Sequence, residues 1–169
     1  QVAVLRSSLA ARSELPPGVV AIDGTYPICR LYRAFDMAVA APGYNAFHEL
    51  IAHAVPTLFV PMTRETDDQA ARARWAAAAG VGLEVAGAGD PALAPRLAEL
   101  AEPGVAGELR RRCREVNPGN GAVAAADLVA AMTRGGGSAP PTRETGRLNR
   151  WLRLSAHPVG PTLPLVLAL

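Results

Sequence analysis

Hydrophobic and polar positions along the chain predict short strands that alternate with helices. Four apolar runs bounded by turn residues predict buried strands, at residues 19–22, 37–40, 57–60 and 81–85. Amphipathic or alanine-rich segments predict helices, at residues 27–35, 45–54, 67–79, 91–101, 105–115 and 122–132. A further short helix is expected at residues 2–12. Strands that alternate with helices pair in parallel through right-handed crossovers.

The predicted strands are continuously apolar, which is typical of a sheet covered on both faces. The predicted fold class is therefore α/β, a Rossmann-like parallel sheet with helices on both faces. A complete sheet of this class has about five or six strands, whereas the pattern shows four. We therefore expect the lobe to be incomplete and to belong to a longer protein.

The composition of the chain changes after residue 134. Residues 135–146, GGGSAPPTRETG, are rich in Gly, Pro and Ser and predict a flexible linker. Residues 147–169 combine Trp151 with leucine-rich pieces and prolines. This tail has three open interpretations: a docking segment, the start of another element, or non-native sequence. We accordingly divide the chain into a lobe at residues 1–134, the linker and the tail.

Composition and charge argue against several classes of function. Hydrophobic residues make up 50% of the chain and aromatic residues 5%, which predicts an aliphatic core. A formal charge of +2 is too small to indicate a nucleic acid partner. The dense basic run at residues 110–114 is interpreted as a solvated helix face. No apolar run reaches the ~20 residues that span a bilayer.

The cysteines and histidines indicate no metal site. Cys29 and Cys113 lie far apart, outside any metal-binding spacing, and are interpreted as reduced thiols of a cytoplasmic protein. His48 and His53 are five residues apart on one predicted helix, so they lie on different faces. The sequence also contains no nucleophile elbow and no Walker motif. We expect neither a metal nor a cofactor.

Polar residues gather where two of the predicted strands end. Gly43 lies between a strand and a helix, and Asn45 is expected to be the N-cap of that helix. The first-turn amides would then be free to hold an anion, although such turns also occur for structural reasons alone. Glu49, one turn further on, can accept two hydrogen bonds from vicinal hydroxyls or complement the helix dipole. Spacing alone leaves both interpretations of Glu49 open.

A second polar loop ends in Thr66, Asp67, Asp68 and Gln69. Thr66 and Gln69 have the spacing of a capping box, and acidic residues suit a first turn. That account explains these residues without any ligand. The alternative is that Asp68 and Gln69 bind the hydroxyls of a sugar.

In combination, these motifs resemble the C-terminal, donor-binding lobe of GT-B glycosyltransferases. The resemblance is to the superfamily of the lipid-linked muramyl-pentapeptide N-acetylglucosaminyltransferase and the UDP-sugar transferases. It covers about residues 19–85. The residues that carry it are Gly43, Tyr44, Asn45 and Glu49, Val55 and Pro56, Pro61, Asp68 and Gln69, and Arg72 and Ala73.

The resemblance implies a role for each of these positions. Backbone amides of Tyr44, Asn45 and Ala46, next to Gly43, would hold the diphosphate of a UDP-sugar. Glu49 would bind the ribose. The remaining candidates are Asp68 and Gln69 for the donor sugar, and Tyr26 and Ile28 for the nucleobase. Ala46 stands where the family usually has Ser or Thr, so phosphate contact would rest on the main chain.

The function implied is the donor-binding part of an inverting, metal-independent bacterial glycosyltransferase. The catalytic base and the acceptor site would come from an N-terminal lobe or a partner protein, so this chain alone is expected to be inactive. The whole enzyme is expected in the cytoplasm, with peripheral attachment to the inner membrane face left open. One alternative is an enzyme like UDP-N-acetylglucosamine 2-epimerase, although His48–Glu49 replaces its usual acidic pair. Another is a non-catalytic nucleotide-binding or interaction module.

Overall fold

Parallel strands form the framework of the protein. The computed structural model describes residues 1–5, 14–25, 27–117 and 121–133. Within them, two parallel sheets are present. The first pairs β1 (Val2–Leu5) with β2 (Val19–Ile22). The second has the order β3-β4-β5, made of β3 (Ala38–Ala40), β4 (Thr57–Phe59) and β5 (Leu83–Glu84).

Helices connect and follow these strands. A 3₁₀ helix (Ile28–Ala34) precedes β3. The α-helices are α1 (Tyr44–Ala52), α2 (Gln69–Ala79), α3 (Leu93–Ala101), α4 (Pro103–Val116) and α5 (Ala122–Thr133). The chain divides into two compact units, and α5 belongs to the second, Pro118–Pro158. Among the described helices, none is long and apolar enough to cross a membrane.

All four predicted strands are present, and one predicted helix is wrong. Residues Val2–Leu5 form β1, where a helix was expected. Val2 and Val4 are β-branched residues that suit a strand, and the backbone of β1 pairs in register with Val19–Ile22. A partner strand seventeen positions away therefore overrides the local helical pattern. The predicted linker and tail lie outside the described residues.

Strand β4 lies at the centre of the hydrophobic core, because its two faces pack against different helices. Neighbouring side chains of a strand point to opposite faces. Leu58 belongs to a buried apolar cluster with Leu100 of α3 and Leu109 of α4. Phe59 lies against Phe47 of α1, with ring centroids 5.2 Å apart. The α/β class with helices on both faces of the sheet is thus confirmed.

The remaining sequence expectations concern the surface and the thiols. Arg111 on α4 is exposed and binds Glu108 and Glu115 of the same helix. Arg110 and Arg112 donate instead to the carbonyls of Asp36 and Ala79, so the basic run is a solvated face only in part. Cys29 and Cys113 are both free thiols. Cys113 is buried, and its Sγ–H donates to the Val81 carbonyl at 3.3 Å. Burial raises the pKa of the Cys113 thiol to about 11.

Candidate functional site

The N-terminus of α1 is open. The helix begins at Tyr44, and its N-cap is Gly43, which has no side chain to cap the first turn. The expectation that Asn45 is the N-cap was wrong, because the Gly43 carbonyl already accepts from the Phe47 amide at 2.9 Å. Helix geometry leaves the amides of Tyr44, Asn45 and Ala46 without an acceptor inside the helix. The N-terminal end of α1 therefore presents three backbone N–H donors to any group that binds there.

Gly43 is not required by the backbone conformation. Its φ of −62° and ψ of 152° are extended values that any residue adopts. A Cβ built at Gly43 would meet no atom within 4 Å. The glycine therefore leaves open space beside the free amides of α1, and nothing in the described fold fills it.

The N-terminus of α2 is closed by its own side chain. The N-cap of α2 is Asp68, whose Oδ1 accepts from the Ala71 amide at 2.9 Å. The predicted capping box from Thr66 was therefore wrong, because the helix begins later than that box requires. An end that already carries Asp67 and Asp68 disfavours an anion. The two helix ends that looked alike in sequence thus differ, and of these two the α1 end is the one that suits a phosphate.

Gln69 fixes the loop that precedes α2. Its side chain is 6% exposed. Its Oε1 accepts from the Met62 amide at 3.0 Å, and its Nε2 donates to Asp67 Oδ2 at 3.2 Å. The side-chain oxygen and nitrogen of Gln69 are therefore both hydrogen-bonded to residues of the loop at residues 60–68. The neighbouring Asp68 is exposed.

Arg72 links the two loops, although no role was predicted for its side chain from the sequence. Arg72 is 9% exposed, although it lies on the alanine-rich α2. Its Nε donates to the Pro42 carbonyl at 2.6 Å, and its Nη2 binds Asp67. The loops before α1 and α2 are thereby brought together. The one sequence signal was its place in the Arg72–Ala73 pair of the family motif.

The Glu49 carboxylate is contacted by Tyr32 of the 3₁₀ helix. The carboxylate is half-buried, and Tyr32 Oη–H points to its Oε2 at 3.4 Å. Burial, and after it the negative charge of Glu49, raise the pKa of Tyr32 well above its ordinary value. Tyr32 therefore remains a protonated donor. The same 3₁₀ helix begins at Ile28, which is one of the nucleobase candidates. This helix packs against α1, the helix that carries Glu49. Tyr26 lies outside the described residues.

The two histidines face different surroundings, as their spacing predicted. The His48 ring lies 4.6 Å from the Tyr44 ring, centroid to centroid, whereas His53 contacts Tyr32. Burial, and after it the charge of Arg72, lower the pKa of His48. His48 is therefore neutral at neutral pH. Within the described part of the chain, no group of three or more His, Cys, Asp or Glu side chains could hold a metal ion.

Known proteins resemble this chain in sequence and in fold. No protein-family model matches the chain. The chain is 34% identical, over 68% of its length, to the UDP-N-acetylglucosamine–N-acetylmuramyl-(pentapeptide) pyrophosphoryl-undecaprenol N-acetylglucosamine transferase of Clavibacter michiganensis. A solved structure of the glycotransferase of kitacinnamycin matches with a TM-score of 0.53 at 26% identity over 73% of the chain. The spinosyn forosaminyltransferase SpnP matches in fold, with a TM-score of 0.55 at 24% identity over 77% of the chain.

The chain is a lobe of the GT-B glycosyltransferase fold. In sequence, the chain is similar to the N-acetylglucosamine transferase of Clavibacter michiganensis. It spans about a third of these proteins, namely 31% of that transferase, 32% of the kitacinnamycin enzyme and 34% of SpnP.

Proposed function

We propose that this chain is the C-terminal, donor-binding lobe of an inverting, metal-independent glycosyltransferase that uses a UDP-sugar. The observation that carries the proposal is the uncapped N-terminus of α1 with open space at Gly43. The name of the Clavibacter relative, which includes UDP-N-acetylglucosamine, supports a UDP-linked donor. The similarity to transferases favours transfer to an acceptor over epimerisation.

The diphosphate binds at the amides of Tyr44, Asn45 and Ala46. The positive end of the α1 dipole favours an anion there, with the main chain as its donor. The acceptor oxygen attacks the anomeric carbon, and the bond from that carbon to the phosphate oxygen breaks. Its electron pair leaves on UDP, where the helix end stabilises the developing charge. In this arrangement the helix end takes the part that a divalent cation plays in metal-dependent transferases.

Glu49 accepts hydrogen bonds from the two ribose hydroxyls. It follows the open helix end by little more than a turn, so a nucleotide with its diphosphate at α1 can reach it. The Tyr32 hydroxyl donates to Glu49 Oε2 at 3.4 Å and so helps to hold the carboxylate in place. Ile28, at the start of the 3₁₀ helix, and Tyr26 are the nucleobase candidates.

The donor sugar binds at the residue 60–68 loop. Asp68 is exposed, and its cap bond uses Oδ1, so Oδ2 serves a sugar hydroxyl. Gln69, whose amide is bound to Met62 and Asp67, acts on the sugar by shaping this loop or after a rotation of its side chain.

The rest of the enzyme supplies the acceptor site and the general base. Either an N-terminal lobe of the same polypeptide or a partner protein contributes them, because the matching part of this chain covers only about a third of each relative. The whole enzyme acts in the cytoplasm, peripherally at the inner membrane face if its acceptor is a lipid. This chain alone binds the donor weakly and transfers nothing.

The ribose assignment is tested by titration of the chain with UDP and with a UDP analogue that lacks both ribose hydroxyls. We expect the wild type to bind UDP about ten-fold more tightly than the analogue. Glu49→Gln should show a much smaller preference, because its neutral amide keeps one, weaker acceptor. The exposed Glu102, between α3 and α4, provides the control variant Glu102→Gln, which should keep the wild-type preference. A Glu49→Gln chain with the full preference would refute the ribose role. A folded wild type that binds no UDP would refute the donor-lobe proposal.

A further inference from the structure

Arg72 lies on the alanine-rich helix α2, but it is buried and makes hydrogen bonds that an exposed arginine would not need. Its guanidinium donates from Nε to the Pro42 carbonyl at 2.6 Å and from Nη2 to Asp67. Pro42 is itself buried and lies thirty positions earlier in the chain. A buried guanidinium is costly unless it is paired and hydrogen-bonded, and here both conditions are met.

The contacts of Arg72 extend into a connected polar network. Asp67, which binds Arg72, also accepts from Gln69 Nε2 at 3.2 Å. Gln69 Oε1 in turn accepts from the Met62 amide at 3.0 Å. The network therefore runs from the Pro42 carbonyl, in front of α1, to the Met62 amide, just after β4. Within the described residues, it ties the loop before α1 to the loop before α2.

The position of Pro42 determines what this network controls. The carbonyl of Pro42 and the amide of Gly43 belong to one planar peptide unit. A donor that fixes this carbonyl therefore fixes the plane from which α1 starts. The free amides of Tyr44, Asn45 and Ala46 follow directly from that plane. A small rotation there would turn them away from a bound anion.

We propose that Arg72 is a positioning residue for the donor diphosphate, which it serves by orienting the first turn of α1 through the Pro42 carbonyl. It also couples that turn to the sugar-binding loop through Asp67. This inference rests on the proposed function of the α1 N-terminus. The planar fork of arginine reaches both partners at once, whereas the single ammonium of a lysine cannot reproduce this geometry.

The test separates the diphosphate from the rest of the nucleotide. Wild type, Arg72→Met and Arg72→Lys are titrated with UDP and with uridine, which has no phosphate. We expect Arg72→Met to weaken UDP binding about ten-fold and uridine binding less than about two-fold. Arg72→Lys should restore little of the UDP affinity. Arg74, exposed on the same helix, supplies the control Arg74→Met, which should match the wild type in both titrations.

Backbone amide NMR spectra of the ligand-free chains provide an independent readout. Arg72→Met should shift the resonances of Gly43 and Met62, the two ends of the network, and Arg74→Met should not. If Arg72→Met does not fold, Asp67→Asn replaces it, because it removes the charged partner and leaves the bond from Arg72 Nε to Pro42. It should then show the same selective loss of UDP, to a smaller extent.

The outcomes distinguish this inference from the function on which it rests. Equal losses for UDP and uridine would reveal a general structural role and overturn the inference. Unchanged UDP affinity in both Arg72 variants would overturn it as well, with the donor-lobe proposal intact. Absence of UDP binding by the folded wild type would remove the proposed function and the inference together.

Discussion

At the scale of single residues, Gly43 separates a structural from a functional explanation. A glycine in a strand-to-helix turn usually serves a positive φ or a close approach of backbone. Gly43 has a φ of −62°, and a Cβ there would touch no atom within 4 Å. The fold therefore tolerates a side chain at this position. Under the proposed function, a side chain there would compete with a ligand on the α1 amides.

Replacing Gly43 by alanine should therefore affect binding far more than stability. We expect Gly43→Ala to lower the free energy of unfolding by at most ~1 kcal/mol, the difference between glycine and alanine as an N-cap. We expect UDP binding to weaken at least about ten-fold, because the methyl group occupies the space in front of the amides. Urea denaturation and UDP titration measure the two effects. Gly89→Ala is the control, since a Cβ at Gly89 also meets nothing within 4 Å.

At the scale of elements, β4 and β5 show how tightly the sheet is packed behind the site. A Cβ at Gly82 would lie 2.7 Å from Phe59 Cε2 and 3.1 Å from the Thr57 carbonyl. Phe59 is fully buried and contacts Phe47 of α1. The absence of a side chain at Gly82 therefore lets the start of β5 lie close to β4 and to the Phe59 ring.

Two glycine-to-alanine substitutions should have opposite effects on stability. Gly82→Ala forces Phe59 or the backbone of β4 to move, and should lower the free energy of unfolding by about 1–3 kcal/mol. Gly107→Ala, on the exposed face of α4, meets nothing within 4 Å. It should raise the free energy of unfolding by about 0.5–1 kcal/mol, because alanine is the better helix former. Urea midpoints of both variants provide the measurement, and equal signs would contradict the packing described here.

At the scale of the whole molecule, His48 links the site to the pH dependence of folding. Burial and the charge of Arg72 lower its pKa in the folded protein. An unfolded chain takes up this proton at a higher pH than the folded chain does, near the ordinary value of ~6.5. The stability contributed by neutral His48 is thus fully present above pH ~6.5 and is lost as the pH falls toward the folded pKa.

Folding stability should therefore decrease as the pH is lowered from about 7.5 to about 5.5. Urea denaturation across this range measures the effect, and His48→Gln should show a smaller decrease because it cannot take up the proton. Asp90 and Glu108 have pKa values below their ordinary carboxyl values, so their contributions are lost only at lower pH. A His48→Gln chain with the wild-type slope would rule out His48 as the source.

Local sequence signals predicted most of the fold and part of the site. Apolar runs and helical periodicity located the strands and helices, because these signals depend on neighbours within a few residues. For example, the predicted helix at residues 45–54 buries Phe47, Leu50, Ile51 and Ala54. The bounds of α1 and α2 were misplaced by one or two residues, which moved the N-caps from Asn45 and Thr66 to Gly43 and Asp68.

By itself, then, the sequence determined the order of elements from β2 onward, the parallel α/β class and the region of the candidate site. Only the tertiary structure decided which side chains meet within that region. It paired β1 with β2, joined Arg72 to Pro42 across thirty positions, and placed Tyr32 against Glu49 across seventeen. It also left α1 open while Asp68 closed α2. These contacts join residues far apart in the chain, and a periodic local pattern carries no information about such partners.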